Sequence, residues 1–514
     1  MIFNSQVIIQ DVRADFEKML EYVTGEKART ATADATERGL FKMLIEMGLK
    51  LLTLFFVMRS QSASRESLKK ADGSELYCHR DTERHYVSIF GKLKFVRPYF
   101  YRKGQKGQVP LDAELSLGDD SYSDLVREVS DYLGVYGVYH KSCDILERLL
   151  GLNLSTRALQ ANLGEDAADV SDYYAQKSGP EASSEAEILV IQADGKGVPM
   201  ILEETQTDKV RLGKGEKYGH KKEAIVTSVY SIEPFIRTPE QVVASYYDKI
   251  SLARPSKPKN KHLWATLDGK DAALSRLAEQ VQSRLGSHIH QRIALCDGCP
   301  SLQIRITKHF SDFTLILDFI HANEYLWKVA NVLFGETNDQ RFEWMRARTL
   351  QLLSGKTKQL IAEFRALAVP GKQPKLSQCK RTQLITTANY FERNLPFMDY
   401  PTYLSNGWPI ASGVIEGACR HFVKDRCELS GMRWLQSGAE NLLRLRAVAE
   451  NNDWDDYQTY RKQQRHLRLY GSLQSNSQSI ETQSLAPRRV SYATVVEPQV
   501  SNQSSSYCQM PLAA

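Results

Sequence analysis

Between residues 188 and 318, short apolar runs alternate with polar turns and with stretches of helical period. This alternation restricts the possible folds more than any other feature of the chain. An apolar run at 188–191 ends in Gln192-Ala193-Asp194-Gly195, and two more strand-like runs are expected at 198–202 and 224–232. A helix fits 271–285, a strand 292–297, a short helix the residues after Pro300, and another strand 313–318. The order is strand, strand, strand, helix, strand, helix, strand, helix. It predicts a mixed sheet flanked by helices, in which the first strand is free to lie parallel beside the fourth.

The rest of the chain reads as mainly helical. Residues 33–60 carry a broad apolar stripe of Phe41, Leu44, Ile45, Leu49, Leu52 and Phe56. The most apolar part, 51–58, is too short to span a bilayer and is expected to be a buried core helix. Residues 84–102 are rich in aromatic and β-branched residues around Phe90-Gly91-Lys92, the pattern of a hairpin. In 123–165 the helical spacing returns, with Gly151 placed to stop one helix and Ser155 to cap the next. Two short helices so tightly joined resemble a helix-turn-helix, which sets Arg157 and Gln160 on a groove-facing surface; a plain pair of core helices has the same pattern.

A length of 514 residues allows three or four domains of ~150 residues each. The pattern divides differently: a helical region at 1–80, a hairpin with a helix-turn-helix-like recognition region at 81–180, and a first part of a catalytic core at 186–323. An α-helical insertion follows at 324–408, then the remainder of the core at 409–450, and a basic helix with a Ser- and Gln-rich disordered tail at 451–514. The expected class is α/β: an RNase H-like mixed sheet flanked by helices, an α-helical insertion and a mainly helical N-terminal region.

Asp194 and Asp297 share one setting, an apolar strand followed by Asp-Gly, and ligands of open α/β sheets bind at such strand ends. Glu416 falls in the first turn of a helix that Ser412 is placed to cap. Carboxylates gathered without lysines to cancel them call for a divalent cation, and oxygen ligands select Mg²⁺ or Mn²⁺. Two such ions would support an in-line phosphoryl transfer. On pattern alone, two aspartates capping strand ends and one solvated glutamate are an equal reading. Asp318 also ends an apolar strand and competes with Asp297, and His321 is open to either a site-orienting or a core role. Cys296 and Cys299 form a lone Cys-x-x-Cys, which without a second pair reads as two free thiols.

The segments IQADGKGVP, GKGEKYGHKKEAIVTSVYSI, RTPEQV, LCDGCPSL, LILDFIHANEYLW and IASGVIEGACRHFVKDRCELSGMRW together resemble the Kra family of bacterial insertion-sequence transposases. The resemblance covers roughly residues 84–446. It implies a DDE enzyme with an RNase H-like core, with Asp194, Asp297 and Glu416 as its catalytic and metal-binding triad and two Mg²⁺ or Mn²⁺ ions as cofactors. Asp318-Phe319-Ile320-His321 resembles the Asp-x-x-His element of Mutator-type relatives, a site-orienting pair. The implied reaction cuts the ends of a mobile element and joins each 3′-hydroxyl to target DNA. Partners would be double-stranded DNA, as terminal inverted repeats and as target, and further copies of the chain in a synaptic complex. The rival readings are a catalytically silent DNA-binding descendant and a metal-dependent nuclease without strand transfer.

A net charge of +6 is too mild to prove a nucleic-acid partner, so the distribution matters more. Lys214, Lys217, Lys221 and Lys222 lie in a Gly-containing loop suited to phosphate contacts; Arg420 and Lys424 follow Glu416 at helical spacing, and Arg433 lies just beyond, beside Trp434. The eight cysteines are thinly scattered and there is no secretory pattern at the N-terminus, so the expectation is a bacterial cytoplasmic, nucleoid-associated protein with no membrane partner.

Overall fold

The computed structural model describes residues 5–69, 73–201, 221–248, 250, 252, 256–370 and 376–471. The Thr32 hydroxyl accepts the Ala35 N–H and starts α2 (Ala33–Ser62), which runs antiparallel to α1 (Ser5–Thr24), with Lys50 paired to Asp15 and Tyr22 resting on Gly39. The segment expected to be a buried core helix is only half so. Phe56 and Val57 are buried, whereas Leu51, Phe55 and Met58 are exposed. Apolar composition predicted burial, but this helix meets the rest of the chain on one side only.

Strands β1 (Leu68–Lys69), β2 (Glu75–Ser88) and β3 (Gly91–Tyr101) form an antiparallel sheet, and Ser88 opposite Gly91 closes the hairpin at the expected turn. Five helices follow: α3 (Pro110–Glu114), α4 (Asp124–Tyr136), α5 (Tyr139–Leu150), α6 (Thr156–Asp166) and α7 (Val170–Gln176). Gly151 ends α5 at φ 67°, a left-handed conformation that glycine adopts without strain, and the Ser155 hydroxyl caps α6 by accepting the Ala158 N–H.

The larger sheet has the order β6-β5-β4-β7-β8, built from β4 (Ile188–Pro199), β5 (Lys221–Ile232), β6 (Lys259–Thr266), β7 (Gln291–Cys296) and β8 (Thr314–Leu317). The pairs β4–β5 and β5–β6 are antiparallel, while β4–β7 and β7–β8 are parallel, so the first strand does lie beside the fourth. Helix α8 (Pro239–Tyr247) precedes β6, and α9 (Lys270–Gln282), α10 (Pro300–His309) and α11 (Phe319–Phe334) alternate with the later strands. Two strand expectations are corrected. Residues 188–191 and the start of 198–202 belong to one continuous strand, because Asp194 to Pro199 pair with β5 instead of turning. The third strand is instead Lys259–Thr266, an edge strand whose first half is polar and carries two lysines.

Alternate residues of β4 serve opposite faces. Ile188 and Val190 face a core shared with α11 and with the helical insertion, α12 (Gln340–Leu353), α13 (Thr357–Ala368), α14 (Gln378–Asn394) and α15 (Tyr400–Ser405). Leu189 and Ile191 pack with residues of α9 and α10. Beyond a break, α16 (Gly413–Ala418) leads into a π-helical turn, Cys419–Lys424, and then α17 (Asp425–Cys427), α18 (Gln436–Glu450) and α19 (Trp454–Tyr470). A third core joins α16 and α18 to the far half of β4 and to α4, α6 and α7. None of the described helices is long and apolar enough to cross a membrane.

Candidate functional site

The parallel register of β4 and β7 pairs Ile188 with Gln291 and Gln192 with Leu295; two residues beyond this last pair, one on β4 and one just past β7, stand Asp194 and Asp297. Between β7 and β8, Cys296 pairs with Leu317, and the next residues are Asp297 and Asp318. Three adjacent parallel strands thus deliver one aspartate each to the same level of the sheet.

Helix α16 brings Glu416 to this edge through three contacts. The Ile415 N–H donates to Gln192 Oε1 at 3.0 Å, the Ser412 N–H to Asp318 Oδ2 at 2.9 Å, and the Cys419 thiol to Asp194 Oδ2 at 3.3 Å. Ser412 therefore does not cap with its side chain, as expected from sequence; it makes no such bond and contributes its backbone N–H instead. Gln192, a buried amide on β4, was not visible as a functional residue, and nothing local marks it. Replacing it by Leu leaves the Ile415 N–H and the Ser228 hydroxyl without their acceptor. Gln192→Leu is expected to destabilise the fold by about 1–3 kcal/mol, measured as a lower urea midpoint.

The four carboxylates differ in what they are free to do. Asp318 is fully buried and caps α11: Oδ1 accepts the Ile320 and His321 N–H groups, while Oδ2 takes Ser412. Asp297 is half-buried and, among the described residues, accepts only the Cys299 N–H, at 3.0 Å. Asp194 accepts the Gly195 N–H at 2.6 Å besides the Cys419 thiol. Glu416 is exposed, with no hydrogen bond to its carboxylate among the described residues.

Burial, then the charges of Asp194 and Asp318, push Asp297 above the ordinary carboxylate range. Burial and the neighbouring Asp318, Glu324 and Asp194 do the same to Glu416. His321 is raised as well, but here the charged form gains: the Asp318 carboxylate, 3.9 Å from Nδ1, raises it to about 9, so it is an imidazolium at neutral pH. The cluster still lacks positive charge, since one imidazolium faces four carboxylates. That deficit, with an all-oxygen donor set, fits a hard divalent cation.

The tightest set of possible ligand atoms among the described residues is Asp318, His321 and Glu416, all within 4.8 Å of one another. It includes neither Asp194 nor Asp297. Asp318 is enclosed and accepts backbone N–H groups on both oxygens, and both oxygens of Asp194 are engaged too, whereas Asp297 and Glu416 keep unused oxygens among the described residues.

The insertion braces the Asp297 loop. A side chain at Gly298 would fall 2.4 Å from the Tyr390 ring of α14, and Arg393 Nη2 donates to the Gly298 carbonyl at 2.7 Å. Cys296 is buried and Cys299 half-buried, both free thiols.

The basic residues divide. Lys214 and Lys217 lie outside the described residues. Lys221 pairs with Glu428, and Lys222 Nζ donates to Gln436 Oε1 at 2.7 Å, so both already have partners at the start of β5. Arg157, Arg420, Lys424 and Arg433 are exposed. The spacing argument for Arg420 and Lys424 fails locally, because 419–424 is π-helical and i+4 residues no longer stack as in an α-helix. Trp434 is core: it is buried, and its indole N–H donates to the Cys427 carbonyl at 2.9 Å.

No protein-family model and no curated protein matches this chain.

Proposed function

We propose that the chain is a DDE transposase of the Kra type with an RNase H-like core, which cuts the ends of a mobile DNA element and joins the 3′-hydroxyls to target DNA. One observation carries this reading: Asp194 and Asp297 stand at one level, just past the point where β4 and β7 stop pairing in parallel, and Gln192, on the same strand as Asp194, tethers the helix that bears Glu416. The strand order, with its antiparallel first three strands and parallel last two pairs, supports the RNase H-like assignment. Asp194, Asp297 and Glu416 would hold Mg²⁺ or Mn²⁺. Two bound ions of this kind supply an activated oxygen nucleophile and neutralise charge on the leaving oxygen.

The chain's own residues hold and orient. Asp318 fixes the start of α11 and, through Ser412, the start of the Glu416 helix. His321 places a positive charge beside the cluster at neutral pH. Exposed Arg157, Arg420, Lys424 and Arg433 are available for phosphate contacts that position DNA without reading its sequence. A nuclease would use the same carboxylates but release its products, and a silent DNA-binding descendant would have no use for the unpaired ones. A cytoplasmic, nucleoid-associated location follows from the substrate.

The test is to incubate the protein with Mg²⁺, a labelled element end and a target plasmid, alongside Asp194→Asn. Joined product that requires Asp194 supports transposition. Cleavage without joining turns the assignment to a nuclease, and DNA binding with no strand breakage overturns the enzymatic reading.

The titration of the cluster gives a separate expectation. Asp297 and Glu416 have raised pKa values in the fold, so the folded state binds more protons than the unfolded one just above the ordinary carboxylate range. Stability without metal thus falls as pH rises through that window, and a bound cation reverses the fall. Mn²⁺ is expected to raise the melting temperature more at pH 7 than at pH 5; an equal rise at both, by differential scanning fluorimetry, would place the cation elsewhere.

A further inference from the structure

The N-terminal helical pair is only half packed. No residue of α1 is buried, and α2 buries only Phe56, Val57 and Ser60, all near its C-terminal end. Along α2, Phe41, Leu44, Leu51, Phe55 and Met58 are each about half exposed, between 46% and 50%. With Gly48 they form an unbroken three-four spacing, the spacing of a helix seam that packs against another helix in a supercoil. Gly48 does not interrupt the row. The Phe90 ring of the β2–β3 turn reaches it so closely that a side chain there would meet the ring at 2.7 Å, and this ring stands in for the missing one. At its N-terminal end the row opens into a groove of about 740 Å³ lined by Ala33, Glu37, Leu40, Phe41 and Leu44 among others. Helix α1 adds exposed Phe16, Leu20 and Val23.

From this face we infer that α1 and α2 are the interface of a homodimer, two copies pairing their helical hairpins about a two-fold axis. Helical spacing selects a helix as the occupant. The longest segment outside the described part, 472–514, is largely Ser- and Gln-rich and contains no apolar row of that length. Size agrees as well. A face two helix diameters wide, ~20 Å, over the ~30 Å of the 20-residue α1 offers ~600 Å², the lower end of the ~600–1,000 Å² per partner of a stable interface. An isologous pairing closes on itself and leaves no further apolar seam. The inference rests on the helical hairpin alone and is independent of the proposed chemistry. If both hold, the dimer joins two carboxylate clusters in one particle.

Sedimentation equilibrium of the full chain at ~10 μM, with no DNA or metal, tests it. The expected result is twice the chain mass of 58.4 kDa for the wild type and a single chain mass for Leu51→Glu/Phe55→Glu, with unchanged helicity by circular dichroism. The substituted side chains are already half exposed, so the fold of one chain does not depend on them. Lys42→Glu, at an exposed position outside the row, is expected to stay dimeric. A wild type of single chain mass overturns the inference, and so does a double variant that stays dimeric.

Discussion

Asp297→Asn is expected to lower metal-dependent strand cleavage about a thousandfold, the effect of losing several kcal/mol of charge stabilisation, while DNA affinity stays within about twofold. Asp318→Asn is expected to fail differently. Its carboxylate accepts backbone N–H groups from two segments at once, Ile320 and His321 on one oxygen and Ser412 on the other. An amide presents an acceptor to only one of these, leaving a buried donor facing a donor at a cost of about 1–3 kcal/mol. The same substitution removes the charge that raises His321 to about 9. In the wild type that raised pKa contributes stability at and below neutral pH, and the contribution is lost as pH rises through about 9. Asp318→Asn should abolish this alkaline loss and return His321 toward its ordinary value, as followed by NMR titration of the imidazole. Calorimetric Mn²⁺ binding decides the ligand question. If Asp318→Asn eliminates binding and Asp297→Asn does not, the second ligand is Asp318, and the tight cluster with His321 and Glu416 is the true metal site.

What the sequence made legible was whatever local chemistry sets. The helix expected at 33–60 is Ala33–Ser62, and the Phe90 turn, the Gly151 stop and the Ser155 cap stand where single residue preferences put them. Asp194 and Asp297 were visible because an apolar run ending in Asp-Gly looks the same on both strands. What pairing decides was not legible. Asp-Gly-Lys-Gly at 194–197 reads as a turn until a neighbouring strand holds it extended, and β6 is disguised by its own lysines. The brace on the site, Gln192 below Glu416 and Arg393 against Gly298, joins residues far apart in sequence through single hydrogen bonds. Such contacts leave no periodic signature. Burial of 51–58 failed for a related reason: hydrophobicity states that a face needs a partner, not that the same chain supplies it.

Asp166→Asn is expected to cost about 3 kcal/mol, because it removes the buried carboxylate that two buried guanidinium groups share and leaves Arg127 only Asp120 and Glu165, and Arg461 only Asp124, all more exposed, among the described residues. Asp166 on α6 receives Arg127 of α4 through two bonds, at 2.6 and 3.0 Å, and Arg461 of α19 at 2.6 Å. All three side chains are buried, so this junction fastens the C-terminal helix to the N-terminal helical region. Burial alone would raise the Asp166 carboxyl, but Arg461 and Arg127 hold it at about 2, against 3.8 for a free aspartate. Its contribution is therefore complete above pH 4 and is lost as pH falls from about 4 through about 2. Asp131, in the same cluster, is the control. Burial and the neighbouring Asp166 push it well above the ordinary range. Asp131→Asn keeps the shape and removes a carboxyl whose charged form these surroundings disfavour, so it should change stability by about 1 kcal/mol or less. Urea unfolding of both variants at pH 7 checks the contrast. Equal losses would mean that the negative charge is shared by the two aspartates rather than held on Asp166.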